Sequence, residues 1–117
     1  MCVSIQVKRV YEKFAKTDGS RILADRLWPR GVTKAKAHIS YWAKELAPSN
    51  ELRSWFHEDP ENRFGDFQKR YVSELKENRK KIKSEMEPYK HSFTLVTAVK
   101  DVEHSHVPTL KSFLERL

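Results

Sequence analysis

The sequence contains a single cysteine, Cys2, so it cannot form an intramolecular disulfide or a metal site built from several thiolates. No segment approaches the roughly 20 consecutive apolar residues that a membrane-spanning helix requires. Residues 1–7 also lack the basic start and apolar run of a secretory signal peptide. These absences predict a cytoplasmic protein that has no membrane partner and uses no thiol chemistry.

The length and composition of the chain favour one globular domain. With 117 residues, of which 38% are hydrophobic and 33% charged, the chain can bury one core but not two. We therefore predict a single domain over residues 1–117. The net charge of +7 favours anionic partners, such as nucleic acid, anionic lipid or small phosphorylated or carboxylated molecules, without choosing among them.

Three segments have the residue pattern of β-strands. Apolar residues alternate with polar ones over residues 3–7, which predicts a strand with one buried face at an edge of the sheet. A second strand is predicted over residues 21–27, where Pro29 and Gly31 follow and stop it. Residues 93–99 are almost all β-favouring, which predicts a central strand covered on both faces.

The remaining segments are predicted to be helical. One helix is expected over residues 38–46, and a second is expected to begin after a Ser49 cap. A helix of about 25 residues is predicted to begin at Pro60, with a frayed or projecting end where its apolar stripe lapses at residues 78–81. A last amphipathic helix has Pro108 in its first turn.

Strands that alternate with helices predict an α/β fold with a partly parallel, three-layer-like sheet and flanking helices. Three strands make a small sheet, which irregular segments or a partner chain could complete. A homodimer is therefore one expectation from the sequence.

Two unusual segments follow the second and third predicted strands, at residues 25–31 and 100–106. In open α/β sheets, ligands usually bind in the crevice beyond the carboxyl ends of the strands. If the two strands are parallel, both segments line one such crevice.

Four motifs resemble the successive signatures of the YeaO-like branch of domain-of-unknown-function family 488 (DUF488). They are Asp-Arg-Leu-Trp-Pro-Arg-Gly at 25–31, Glu-Leu-Ala-Pro-Ser at 45–49, Leu-Arg-Ser-Trp-Phe at 52–56 and Thr-Leu-Val-Thr-Ala-Val-Lys-Asp at 94–101. The resemblance covers essentially the whole chain. Because the family has no assigned activity, the resemblance implies a fold and no reaction.

The chain departs from the family pattern at one place. Members commonly have His-Asn-His-Ala where this chain has His104, Ser105, His106 and Val107. Longer members of the wider family have a cysteine near this position, followed by His-Arg, and this chain has Ser105 instead. A cysteine-based mechanism therefore does not carry over.

The predicted ligand-binding residues are Arg26, Trp28, Arg30 and Lys100. The two guanidinium groups could hold a phosphate, sulfate or carboxylate, and Lys100 could add a point charge. A structural alternative stays open, in which Asp25 pairs with one of the arginines and fixes the turn.

The candidate catalytic residues are Asp25, Asp101, His104 and His106. A histidine that a carboxylate orients can act as an acid or base near neutral pH. Asp101 with the two histidines could also hold a metal ion, but the spacing is not a recognised metal signature, and we predict no cofactor. Ser105 could instead cap the last helix.

We rank three functions from the sequence. The first is a site, binding or enzymatic, for a small anionic ligand. The second is association with nucleic acid through a basic surface, which includes the cluster of Arg79, Lys80, Lys81 and Lys83. The third is a noncatalytic interaction module.

Trp42 and Trp55 fit apolar helix faces and are predicted to belong to the core.

Overall fold

The computed structural model describes residues 4–90 and 92–117. The strands are β1 (Ser4–Arg9), β2 (Ser20–Leu23), β3 (Tyr41–Trp42) and β4 (Ser92–Thr97). The helices are α1 (Lys34–Ala37), α2 (Asn50–Glu58), α3 (Pro60–Glu77), α4 (Arg79–Met86) and α5 (Val107–Glu115). Cys2, and with it the expectation about its thiol, lies outside the described residues.

The four strands form one sheet in the order β1-β4-β2-β3, and every pairing is parallel. The α/β prediction is thus confirmed, as are the edge position of the first strand and the central position of β4. From Phe93 to Thr97 every residue of β4 is buried, as expected for a strand covered on both faces. Because the strands are parallel, all of their carboxyl ends meet at one edge.

The two faces of the sheet are covered differently. Ile5, Ile22 and Leu95 pack against buried residues of α2 to α5 in the larger core cluster. On the opposite face, Val96 packs in a second cluster with Ala37 of α1 and with residues outside the regular elements, namely Val10, Trp28, Val32 and Ile39. The third layer therefore consists mostly of irregular chain. No helix in the described part of the chain is both long and apolar enough to cross a membrane.

The prediction of a helix over residues 38–46 was wrong. His38 adopts a left-handed conformation with φ of 50°, which ends α1. Tyr41 and Trp42 then pair with Ile22 and Leu23 as the short strand β3. The predicted second strand was also too long, because β2 ends at Leu23 and the chain leaves the sheet before Asp25.

The predicted starts of the middle helices are confirmed. The Ser49 hydroxyl accepts a hydrogen bond from the Leu52 N–H (3.1 Å) and caps α2, while α3 begins at Pro60. The single long helix is instead two helices that meet at Asn78. Its second part neither frays nor projects, because Ile82 and Met86 of α4 are buried in the core.

A buried ion cluster lies at the amino end of β2. The Asp18 carboxylate contacts Lys8 Nζ at 2.7 Å and Arg21 Nη1 at 2.9 Å, and the side chains of Asp18 and Arg21 are 0% exposed. Burial by itself raises the pKa of Asp18, but hydrogen bonds from Lys8, the Ala15 N–H and Arg21 outweigh it and lower the pKa to about 2. Asp18 is therefore ionised at neutral pH.

Candidate functional site

The two segments singled out in the sequence meet at the edge formed by the carboxyl ends of the strands, here called the C-terminal edge. Asp25 follows β2 and binds the end of the neighbouring β4. Its carboxylate accepts hydrogen bonds from Thr97 Oγ1 and from the Ala98 N–H, both at 2.7 Å. Asp25 thus continues the β2–β4 pairing by means of its side chain.

His106, at the start of α5, is buried beside Asp25. Its Nε2 lies 2.7 Å from the carbonyl oxygen of Ala24 and 3.6 Å from Asp25 Oδ1. Because a carbonyl oxygen only accepts, Nε2 carries the hydrogen. Burial lowers the pKa of His106 more than the Ala24 carbonyl and Asp25 raise it, so the neutral ring is favoured. The edge of the ring packs against Tyr71, at 6.0 Å between centroids.

Arg26 turns away from Asp25 and is engaged by backbone. Its Nε donates to the Pro48 carbonyl at 3.0 Å and its Nη2 to the Ala47 carbonyl at 3.3 Å. The cavity beside it, of about 260 Å³, is also lined by three carboxylates: Glu45, Glu74 and Glu77. The predicted role of Arg26 in anion binding stays a prediction, and these contacts count against it.

The tryptophans at this edge have structural contacts. Trp28 Nε1 donates to the Val32 carbonyl at 2.7 Å and so closes the turn that contains Arg30. Trp42 Nε1 donates to the Asp25 carbonyl at 2.8 Å, and the two indoles pack edge to face, 5.4 Å apart. Trp42 is only half-buried, because it lies on β3, the outermost strand of the sheet, rather than on a helix.

Trp55 is likewise half-buried at the margin of the core. The guanidinium groups of Arg63 and Arg70 lie over its ring at 4.8 and 4.0 Å from the centroid. Trp55 therefore packs against the core with part of its surface, and the prediction that it belongs to the core is confirmed only to that extent.

Arg30 and Lys100 are exposed at the C-terminal edge. In the described part of the chain, neither side chain forms a hydrogen bond or an ion pair. Arg9 joins this edge at the end of β1, where its Nε donates to the Val99 carbonyl at 3.1 Å and its Nη2 to the Ala98 carbonyl at 3.5 Å. Sequence reasoning missed Arg9, because the alternation of the first strand was followed only to residue 7.

Asp101 and His104 form an exposed pair on the loop that follows β4. Asp101 caps a short 3₁₀ helix at residues 102–104, and its Oδ2 lies 2.8 Å from His104 Nδ1. Ser105 donates to the Val102 carbonyl at 2.6 Å and accepts from the Val107 N–H at 3.2 Å, so it caps the start of α5. Over residues 4–90 and 92–117, no group of three or more His, Cys, Asp or Glu residues is arranged to hold a metal ion.

The basic residues near Asn78 differ in their contacts. Lys81 pairs with Glu45 at 2.8 Å. Arg79 lines a groove between α3 and α5, and Lys83 lines an adjoining groove that shares Arg116 and Leu117 with it. Association with nucleic acid and formation of a homodimer both stay predictions.

Comparison with known proteins assigns the chain to a family. A family model described as the inactive DUF488-N3 subclade matches residues 4–117. An uncharacterised protein of Mycobacterium tuberculosis is 39% identical over 110 residues, which cover 94% of this chain and 92% of that protein. The uncharacterised protein YeaO of Escherichia coli is 36% identical over 116 residues, which cover 98% of this chain and 100% of YeaO. No solved structure gives a significant match.

Proposed function

Because this chain belongs to the inactive DUF488-N3 subclade, we propose that it binds a small anionic ligand at the C-terminal edge without transforming it. One contrast carries the proposal. Asp25 and His106, which could do acid–base chemistry, are engaged in internal hydrogen bonds. Arg30 and Lys100 are exposed cations without a hydrogen bond or ion pair among the described residues.

The internal bonds argue against proton transfer at Asp25 and His106. A general base must come within about 2.6–3.2 Å of the proton that it removes. Both oxygens of Asp25 already accept hydrogen bonds, from Thr97 at the end of β4 and from the Ala98 N–H that follows it, and Nε2 of His106 donates to a backbone carbonyl. The Asp101–His104 pair is the remaining acid–base candidate, and more than half of each side chain is exposed to water. In the proposal this pair orders the loop beside the ligand.

The cations at this edge have the chemistry that anions require. A guanidinium offers a planar fork of donors to a phosphate or carboxylate, and an ammonium adds a point charge. Trp28 and Val32 pack against the same cluster as Val10 and Ala98, which holds the Arg30 turn above the ends of β1 and β4. Helix α5 also begins at this edge, so its partial positive charge adds to the field.

The proposal can be tested by NMR titration of the ¹⁵N-labelled protein with inorganic phosphate and pyrophosphate. Saturable shifts are expected at the backbone amides of residues 9–10, 30–31 and 98–101. The double variant Arg30→Gln with Lys100→Gln should bind at least about tenfold more weakly, because it loses both unengaged cations.

The matched control removes two exposed cations outside the proposed site, Lys80→Gln with Lys83→Gln on α4. This control should keep the affinity of the wild-type protein. Shifts that spread over surface lysines without saturating, or equal losses in the two double variants, would show that the effect is diffuse charge and would refute the site.

A further inference from the structure

A groove of about 650 Å³ lies between α3 and α5, on the helical side of the sheet. Its floor is apolar and comes from Val72 of α3 together with Phe113 and Leu117. All three side chains are half-buried, so each leaves part of its apolar surface open to the groove. Gln68 and Thr109 bridge the two helices with a hydrogen bond of 3.4 Å.

The rim of the groove is basic. Lys69 and Lys76 come from α3, Arg79 from α4 and Arg116 from the end of α5. All four are exposed, and none of their side chains forms an ion pair or hydrogen bond within residues 4–90 and 92–117. No acidic residue among the described ones lines the groove. The groove thus combines an apolar floor with uncompensated positive charge.

We propose that this groove binds an acidic amphipathic helix of another protein. Apolar side chains on one face of a helix, spaced three and four residues apart, would cover the floor. Glutamates or aspartates that flank this face would meet the four cations of the rim. From Gln68 to Lys76 the groove is about 12 Å long, which accommodates roughly two turns of a bound helix.

Other occupants fit the groove less well. A second copy of this chain also carries a net charge of +7, so its surface is repelled by the same rim. Single-stranded nucleic acid needs successive aromatic rings on which its bases stack, in addition to cations for its phosphates. Among the described lining residues only Phe113 has such a ring. The combination of an apolar floor and a basic rim is the complement of an acidic amphipathic helix.

The test uses a fluorescein-labelled peptide of about four helical turns, with leucines on one face and glutamates elsewhere, and reads binding by anisotropy. Two further peptides are matched to it. One has lysine in place of every glutamate, and the other has the same composition in an order that destroys the apolar face. We expect saturable binding of the acidic peptide alone, which weakens as salt is added.

The groove is probed with Lys69→Glu together with Lys76→Glu, two exposed changes on α3. The control has the same charge change on the other face of the sheet, Lys34→Glu with Lys36→Glu, both exposed on α1. Affinity for the acidic peptide should fall at least about tenfold in the groove variant and stay within about twofold in the control.

Four results would overturn the proposal. They are no binding of the acidic peptide to the wild-type protein, equal binding of the scrambled peptide, an equal loss of affinity in the control, and tighter binding of a single-stranded oligonucleotide that the groove variant abolishes. The last of these would assign the groove to nucleic acid.

Discussion

Two aspartates flank the short strand β2, and the protein binds them in different ways. Asp18, before the strand, is held by the cations of Lys8 and Arg21. Asp25, after the strand, is held by the neutral donors of Thr97 and Ala98. The carboxylate of Asp18 contacts both cations. The carboxylate of Asp25 accepts its hydrogen bonds without a cation, so the exposed basic residues at the C-terminal edge stay available for other contacts.

The buried pair depends on additional hydrogen bonds. Desolvation of two buried charges is costly, and further hydrogen bonds offset part of that cost. Within the described residues, Arg21 Nη2 is the atom of the pair that stays without a hydrogen-bond partner or ion contact. Arg21 Nε donates to the Ala37 carbonyl at 3.0 Å, and the Ala15 N–H donates to Asp18 at 3.1 Å. The hydroxyl of Thr94 binds the Asp18 carbonyl at 2.7 Å, which attaches the cluster to β4. The cluster thus connects β1, β2 and β4.

Removal of the charge at Asp18 should have the largest effect on stability. Asp18→Asn leaves Arg21 buried without an anion, and we expect a loss of about 3–5 kcal/mol in the free energy of unfolding by urea. Asp66→Asn, an exposed change on α3, is the control and should stay within about 0.5 kcal/mol. A loss below about 1 kcal/mol at Asp18 would refute the ionic account.

Acid should remove part of the same stabilisation. The lowered pKa means that the folded protein favours ionised Asp18, so its contribution is present above pH 3.8 and is lost as the pH falls toward 2. A shift from 3.8 to about 2 corresponds to roughly 2 kcal/mol. Urea unfolding across this range should show the loss in the wild-type protein. If Asp18→Asn shows the same decline, other carboxylates cause it.

The substitution Asp25→Ala should cost less than Asp18→Asn, about 2 kcal/mol, because it leaves only the neutral donors of Thr97 and Ala98 without a partner. Combining it with Thr97→Val should cost less than the sum of the two single changes. Unfolding by urea of the three variants and the wild-type protein gives this coupling. The comparison would be contradicted if Asp25→Ala lowered the free energy of unfolding by more than Asp18→Asn does.

His106 should add a smaller dependence on pH near neutrality. Its pKa lies below the ordinary 6.5, so the unfolded chain takes up the proton first. Stability should therefore be full above pH 6.5 and fall as the pH decreases below it. The groups that face the ring are the Ala24 carbonyl, Asp25 and Tyr71.

His106→Asn should flatten the dependence of stability on pH in this range, whereas exposed His104→Asn should not. Stability that rises as the pH falls through this window would contradict the assignment.

The parts of the fold that the sequence predicted correctly are the long or uniform ones. Strand β4 has a continuous β-favouring run, and α3 has both a proline start and an apolar stripe. Strand β3 was mistaken for a helix because Ile39, Trp42 and Leu46 are spaced as on a helix face. A pattern of three apolar residues does not distinguish a two-residue strand from a helix. The pairing of β3 with β2 decided the outcome.

The sequence predicted which two segments meet at the C-terminal edge, but it did not predict their contacts. The rule that ligands bind beyond parallel strand ends brought Asp25 and the 100–106 segment to one edge. It gave no information on which polar groups are free there. Arg26 and Arg30 look alike in the sequence, yet Arg26 donates to the Ala47 and Pro48 carbonyls and Arg30 is exposed.

The sequence by itself determined the α/β class with an at least partly parallel sheet, and the family. These follow from local periodicity and from the motifs, which the chain carries without reference to its fold. The tertiary structure alone decided which charged side chains have internal partners and which stay free. Asp25 meets Thr97 and His106 meets Ala24, partners 72 and 82 residues apart, and a side chain's partner at such a separation depends on how the strands pack.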